Sequence, residues 1–192
     1  IQKNPDGWSI GPNMIFASSQ GTSTGTTRDA VLVWGGRFGN TPAGSFNNGS
    51  PTCVEEYNGT TWASITAHPG GQWLYNNTAA GSSDSALGFG NHEADGGKTM
   101  YYNGSNWADK ADLITGRKQA VGIGQSADGA LAVGGAPGAY TDMEQYDLSG
   151  DAWSESTAVP QNIQAQGSTG TSEAAIIVRN NPGSIGSLCY DG

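Results

Sequence analysis

A six-residue pattern of Tyr, Asn-Gly and Trp occurs twice in the chain, as YNGTTW at 57–62 and as YNGSNW at 102–107. Asn-Gly is a strong hairpin signal, because both central residues of a type I′ turn need positive φ and these two residues tolerate it at least cost. Each copy therefore predicts a β-hairpin with Tyr on the incoming strand and Trp on the outgoing strand. The repetition indicates a chain built from similar units.

Aromatic residues mark the period of the repeat. Trp8, Trp62, Trp107 and Trp153 each follow a turn-forming segment, at spacings of 54, 45 and 46 residues. A tyrosine precedes the turn in three of these units and recurs near the C-terminus, at Tyr57, Tyr102, Tyr146 and Tyr190. We interpret these eight residues as structural anchors that pack once per unit between neighbouring units.

The intervals between the tryptophans hold short apolar runs separated by turn residues. These runs are AVLVWGG (30–36), ALGFGN (86–91), ALAVGG (130–135) and AAIIV (174–178). Because no 3.6-residue apolar period is long enough for a helix, each interval predicts about four short strands. Four-stranded units of about 45 residues are typical of β-propeller blades. A β-sandwich with coincidental turns is the alternative.

The two ends of the chain complement each other in this pattern. The chain begins with a Trp segment that lacks its Tyr strand and ends with SLCYDG (187–192), a Tyr strand that lacks its Trp strand. If the two ends pair, the interval from Trp153 through the C-terminus to Trp8 is 47 residues, close to the others. Such closure would remove open sheet edges that invite aggregation.

We therefore predict one all-β domain over 1–192, a β-propeller closed by pairing of its N- and C-terminal strands. Its four blades of about four strands are expected at 12–66, 73–110, 118–157 and 162–192, the last completed by 1–11. A ring assembled from two chains and a fragment of a larger propeller stay open as alternatives.

Charge and composition narrow the range of partners. The chain has eight basic and seventeen acidic residues, for a net charge of −9. An acidic surface repels the phosphate backbone and anionic lipid, so we expect neither nucleic acid nor membrane as a partner. No apolar run approaches the length of a membrane span.

Residues suited to catalysis or metal binding are few. His68 and His92 have no Cys or His partner at zinc-ligand spacing. Cys53 and Cys189 are expected on or beside the third strands of different blades, too far apart to bond, as free thiols. No G-x-S-x-G segment precedes a helix. We predict no enzymatic activity, no cofactor and no metal site.

An insertion at 37–52, RFGNTPAGSFNNGSPT, explains the long first interval. It connects the second and third strands of its blade, where binding loops gather, and loops on rigid scaffolds commonly carry function. Arg37, Phe38 and Phe46 are therefore candidates for contact with a protein or a glycan. Covering a hydrophobic rim is an equally good explanation for them.

The segment from Leu113 to Trp153 resembles a kelch repeat. A basic residue, Arg117, opens the first strand, and a glycine pair at 134–135 ends the second. The unit with Gly35 and Gly36 keeps the pair, whereas the other two units depart from it. The resemblance covers almost the whole chain and implies a propeller closed by pairing a C-terminal third strand with an N-terminal fourth strand.

A narrower resemblance rests on the wording EEYNGTTWA (55–63) followed by a small-residue strand and an apolar strand. It is similar to kelch-like arrays in virion proteins of marine bacteriophages. This implies a non-enzymatic structural or adhesion protein, a capsid decoration, knob or tail component of the extracellular particle. Its implied partners are other virion proteins in a multi-copy assembly and a host-surface glycan. A lectin-like bacterial propeller that binds carbohydrate is the alternative, which the unlike loops of the units disfavour.

Overall fold

The computed structural model describes residues 7, 9–16, 21–36, 52–69, 77–91, 96–138, 141–164, 166–181 and 184–192, with the backbone alone described at 179–181 and 184–185. Strands and turns make up the regular structure of these ranges. The described part of the chain contains no helix of the length and hydropathy that crossing a membrane requires.

The strands form antiparallel sheets that follow the order of the chain. Blade 1 consists of β1 (Thr22–Thr27), β2 (Ala30–Trp34), β3 (Val54–Tyr57) and β4 (Trp62–Ser64). Blade 2 consists of β5 (Thr78–Gly81), β6 (Ala86–Phe89), β7 (Thr99–Tyr102) and β8 (Trp107–Lys110). Each of these two blades is a four-stranded sheet.

Blade 3 consists of β9 (Val121–Ile123), β10 (Leu131–Val133), β11 (Met143–Asp147) and β12 (Ala152–Ser156). Blade 4 consists of β13 (Gly167–Gly170), β14 (Ala175–Asn181) and β15 (Ser184–Tyr190). The predicted all-β, four-bladed propeller is confirmed. The predicted pairing of the N-terminal with the C-terminal strand concerns residues 1–11, of which 1–6 and 8 lie outside the described residues, so this pairing stays a prediction.

The first strand of each blade lies nearest the axis of the ring. Thr24 Oγ1 in β1 donates a hydrogen bond to the carbonyl oxygen of Gly81 in β5 (2.5 Å). Ser168 Oγ in β13 donates to the carbonyl oxygen of Gly122 in β9 (2.9 Å). Blades 2 and 3 approach so closely that a Cβ on Gly122 would lie 2.1 Å from the carbonyl oxygen of Ala79. Glycine is therefore required at this position of the inner ring.

In blades 2 and 3, each face of the second strand is covered by a different neighbouring blade. The buried clusters are Leu32, Trp34, Val54, Ala86 and Tyr102 between blades 1 and 2, Leu87, Phe89, Ala130, Ala132, Tyr146 and Trp153 between blades 2 and 3, and Leu131, Val133, Met143, Ile163 and Ile177 between blades 3 and 4. Successive residues at 130–133 thus contact blade 2 and blade 4 in turn. This explains the continuous apolar runs of the sequence, since neither face of such a strand meets solvent.

The hairpin turns differ from the predicted type I′ geometry. Tyr57 pairs with Trp62, so the loop between them has four residues instead of two. Gly59 has a positive φ of 87°, whereas Asn58 does not have a positive φ. The type I′ prediction is therefore wrong, although the Tyr and Trp strands lie where the sequence placed them.

The side chain of the residue after each tyrosine gives the physical reason. Asn58 Oδ1 accepts hydrogen bonds from the N–H groups of Thr60 and Thr61 (both 3.0 Å). The same pair of bonds recurs from Ser105 and Asn106 to Asn103 Oδ1 and from Ser149 and Gly150 to Asp147 Oδ1. Asn and Asp are favoured in turns through this bond to their own following backbone, which here stabilises a longer loop.

We expect Asn103→Ala to lower the free energy of unfolding by about 1 kcal/mol, because two main-chain N–H groups lose their side-chain acceptor. Urea unfolding followed by circular dichroism measures the change. Asn103→Asp is the matched control, since it keeps the acceptor and should stay close to the parent. Equal losses in the two variants would show that the side-chain oxygen does not stabilise the turn.

Candidate functional site

A polar cavity of about 260 Å³ lies on the axis of the ring. Its walls come from the first strand of every blade and the residues that follow these strands. The polar side chains in the wall are Ser23, Thr24, Thr26, Gln125, Ser168 and Thr169. Since no lining residue carries a charge, the cavity offers hydroxyl, amide and main-chain groups, and no general acid or base.

The hydroxyls of this cavity divide into two sets. Thr24 and Ser168 donate to main-chain carbonyls of the neighbouring blade and hold the ring together. Ser23, Thr26 and Thr169 are exposed to the solvent of the cavity. A neutral wall of this kind suits a small uncharged polar ligand, because it imposes no desolvation of a charge on either partner.

Arg117 is the most deeply buried cation in the described part of the chain, and its guanidinium is saturated. Nη2 donates to Glu144 in a buried ion pair, Nε donates to Thr115 O (2.9 Å), and Nη1 donates to the carbonyl oxygens of Gly134 and Asp142 (both 3.2 Å). The sequence placed Arg117 at the opening of the first strand. That placement is wrong, because β9 begins four residues later. Arg117 lies in the segment that precedes β9 and anchors it by these hydrogen bonds.

Glu144 completes this arrangement from β11. Its carboxylate accepts hydrogen bonds from the N–H groups of Ile114 (2.8 Å) and Thr115 (3.1 Å). The segment that enters blade 3 is therefore fixed to the third strand of that blade. With Arg117 on one side and two N–H groups on the other, the buried charge of Glu144 is fully compensated.

Glu55 is the counterpart of Glu144 in blade 1. Both stand two residues before the tyrosine of the third strand, and both are buried. Glu55 accepts hydrogen bonds from the N–H groups of Ile15 (3.1 Å) and Phe16 (2.5 Å). We call Glu55 and Glu144, with the N–H groups they hold, the two glutamate clamps. Met100 and Leu188 occupy this position in blades 2 and 4, so the clamps lie in alternate blades.

His68 is buried, with 2% of its surface exposed. Its ring packs against Trp107 of blade 2 with ring centroids 4.4 Å apart. Burial lowers the pKa of His68 from 6.5 to about 4, so the imidazole is neutral at pH 7. Among the described residues, no group of three His, Cys, Asp or Glu side chains could hold a metal ion.

Trp107 and Trp153 each contact the preceding blade as well as their own. Trp107 packs edge-on against Trp34 with centroids 5.3 Å apart, and its Nε1 donates to Thr66 O (3.1 Å). Trp153 packs edge-on against Phe89 at 5.1 Å, and its Nε1 donates to the Thr99 hydroxyl (3.0 Å). An indole therefore joins blades 1 and 2, and another joins blades 2 and 3.

The tyrosines lie opposite the tryptophans on the adjacent strand. Tyr57 lies 5.2 Å from Trp62, and Tyr102 lies 5.0 Å from Trp107, between ring centroids. Tyr146 also donates its hydroxyl to Asp151 (2.6 Å), and burial together with this carboxylate raises the pKa of Tyr146.

The remaining sequence candidates contribute no described site. Arg37, Phe38 and Phe46, and the anchor Trp8, lie outside the described residues, as does His92. Tyr190 is half-buried on β15. Cys53 is half-buried beside β3 and Cys189 is exposed on β15, and both are free cysteines.

Comparison with known proteins supports the fold and gives no information about chemistry. No protein-family model matches the chain, and no curated protein matches it. The chain is similar to a solved structure titled "Structure of YjhT", with a TM-score of 0.64 and 15% identity over 88% of this chain and 60% of that chain. What the two share is the fold. The chain spans about 60% of the length of this structural neighbour.

We expect Arg117→Met to lower the free energy of unfolding by about 3–5 kcal/mol, because Glu144 then stays buried without its cation. Chemical denaturation measures the loss. Lys118→Met removes the neighbouring, half-buried cation and serves as the control. A loss of the same size in both variants would mean that the ion pair is not what stabilises the entry to blade 3.

The buried imidazole predicts a pH dependence of stability. Above pH 6.5 His68 is neutral in both the folded and the unfolded state. Between pH 6.5 and about pH 4 the imidazole is protonated in the unfolded chain and stays neutral in the folded chain. Stability should therefore fall by roughly 3 kcal/mol as the pH drops from 6.5 to 4. Thermal unfolding across this range should show a weaker slope in His68→Gln and the parental slope in His92→Gln. The reverse result would assign the slope to His92.

Proposed function

We propose that the chain is a non-enzymatic structural and adhesion protein of a virion, a decoration, knob or tail component displayed in many copies. The propeller fold is consistent with a binding or structural role. The non-enzymatic part of the proposal rests on what the buried charged side chains bind. Arg117, Glu144 and Glu55 all bind main-chain groups of their own blades, and the lining of the axial cavity carries no charge.

Rigidity supports display on a particle. Indoles join the blades, and the glutamate clamps fix the segments that enter blades 1 and 3. Asn and Asp side chains accept main-chain hydrogen bonds within the described hairpin turns. Such a scaffold offers two loop-bearing faces to different partners. The net charge of −9 keeps the protein away from packaged nucleic acid. The virion assignment itself rests on the resemblance of 55–63 to phage kelch-like arrays.

In this proposal one face of the ring binds another virion protein and the other contacts the host surface. Arg37, Phe38 and Phe46, in the insertion after β2, are the residues we assign to partner contact. Arginine and phenylalanine are both enriched in protein interfaces relative to the rest of the surface.

The proposal predicts that the protein copurifies with particles. Quantitative mass spectrometry of gradient-purified virions should find many copies of the protein per particle, at a fixed ratio to the major capsid protein. Antibodies against the folded domain should label intact particles in electron micrographs. Recovery from lysed cells alone, with none in the particles, would refute the virion role and leave only the fold.

The axial cavity favours a second candidate, a carbohydrate-binding propeller. Its neutral wall of hydroxyl groups and its volume of about 260 Å³ suit one sugar ring. Titration calorimetry with neutral monosaccharides distinguishes this candidate. Binding that Thr26→Val and Thr169→Val weaken would favour the lectin, whereas Thr60→Val, on the outer hairpin, is the control.

A further inference from the structure

The hairpin turns between β3 and β4 and between β7 and β8 each contain an Asn-Gly step. Asn58 and Asn103 are exposed at the start of these turns, and Gly59 and Gly104 follow them. The main-chain nitrogen of a residue that follows an asparagine can attack the side-chain carbonyl carbon of that asparagine, because the two atoms close a five-membered ring. Glycine leaves this approach open, since it has no side chain beside the nitrogen.

Each turn holds the asparagine side chain close to the main chain that follows it. Asn58 Oδ1 accepts hydrogen bonds from the N–H groups two and three residues later, both at 3.0 Å. Asn103 Oδ1 accepts the same pair at 3.1 and 2.9 Å. Attack on the side-chain carbonyl carbon would develop negative charge on this oxygen, and two N–H groups directed at it stabilise that charge as donors do in an oxyanion hole. The turn therefore favours the attack by position and by electrostatics.

The nitrogen that would attack is unoccupied in these two turns. Among the described residues, neither the N–H of Gly59 nor that of Gly104 donates a hydrogen bond. The turn of blade 3 differs at this point. Asp147 accepts the same pair of hydrogen bonds, but the N–H of the next residue, Leu148, donates to Asp128 (3.0 Å). Blade 3 thus repeats the geometry around the oxygen with a larger following residue whose N–H is engaged.

The fold requires the glycine of each Asn-Gly step. Gly59 and Gly104 both have a positive φ of 87°, a conformation that other residues adopt at a cost. A Cβ on Gly59 would lie 3.0 Å from Cβ of Asp29, and a Cβ on Gly104 would lie 3.3 Å from Cβ of Asp84. Both aspartates belong to the turn that joins the first two strands of the same blade. A larger residue would therefore strain the turn and crowd its neighbour.

We propose that Asn58 and Asn103 are sites of spontaneous deamidation in the folded protein. The glycine nitrogen forms a bond to the side-chain carbonyl carbon, the side-chain amino group leaves as ammonia with the proton of that nitrogen, and a cyclic succinimide remains. Water then opens the ring at one of its two carbonyl carbons and gives aspartate or isoaspartate. Each site gains one negative charge. This inference concerns the chain itself and does not depend on the proposed virion role.

The two products differ in how they fit the turn. Aspartate fits, since Asp147 already accepts the equivalent pair of main-chain hydrogen bonds in blade 3. Isoaspartate carries the main chain through the former side chain and lengthens the loop between Tyr102 and Trp107 by one carbon. The isoaspartate product therefore loosens the hairpin whose indole joins blades 1 and 2.

Peptide mapping of the full chain tests the proposal. The protein is kept under mildly alkaline conditions in which it stays folded, and mass spectrometry with electron-transfer fragmentation follows aspartate and isoaspartate at each site. Free peptides with the sequences of residues 55–63 and 100–108 give the rate of the same Asn-Gly step without the turn. We expect Asn58 and Asn103 to react in the folded protein at least as fast as in the peptides. A lower rate at either site would show that the turn protects that asparagine and would overturn its assignment.

Two controls isolate the role of the glycine N–H. Asn106 is exposed in the same turn as Asn103 but precedes Trp107, and it should stay unmodified. The variant Asp147→Asn places an asparagine before Leu148 with the same main-chain donors around its oxygen, and this asparagine should also stay unmodified while Asn58 and Asn103 react. Reaction of either control residue at the rate of Asn103 would overturn the role assigned to the unoccupied glycine nitrogen.

Discussion

The insertion of an indole between neighbouring blades is the contact on which the ring depends. A single four-stranded blade has two apolar faces and cannot bury either by itself, so each face requires a neighbour. Trp107 and Trp153 make the junction specific, because each ring touches an aromatic of the preceding blade while its N–H is satisfied by an oxygen of that blade.

The blades could be predicted from sequence because their signals are local. The Tyr and Trp of each hairpin are separated by a short turn, and the apolar second strands are contiguous runs. The turn type could not be predicted from Asn-Gly alone. Asn58 can adopt a positive φ, or its side chain can accept hydrogen bonds from the N–H groups that follow it. The four-residue loop between Tyr57 and Trp62 contains these hydrogen bonds.

The buried polar residues could not be predicted because their burial is created by distant parts of the chain. His68 is covered by Trp107, which belongs to the next blade. Glu55 and Glu144 look like ordinary surface glutamates, and only their shared position two residues before a tyrosine distinguishes them. A search for equivalent polar positions across the units would have found the clamps, although two of the four units lack them.

The alternation of the glutamate clamps has a consequence for the outline of the rim. Blades 1 and 3 lie diagonally across the axis, so the two glutamate clamps lie on opposite sides of the rim, although Arg117 accompanies Glu144 alone among the described contacts. Ile15 and Ile114, which follow equivalent paths over the two clamps, are each 54% exposed. The same exposed isoleucine therefore recurs half a revolution away, and the rim presents it at two opposite points.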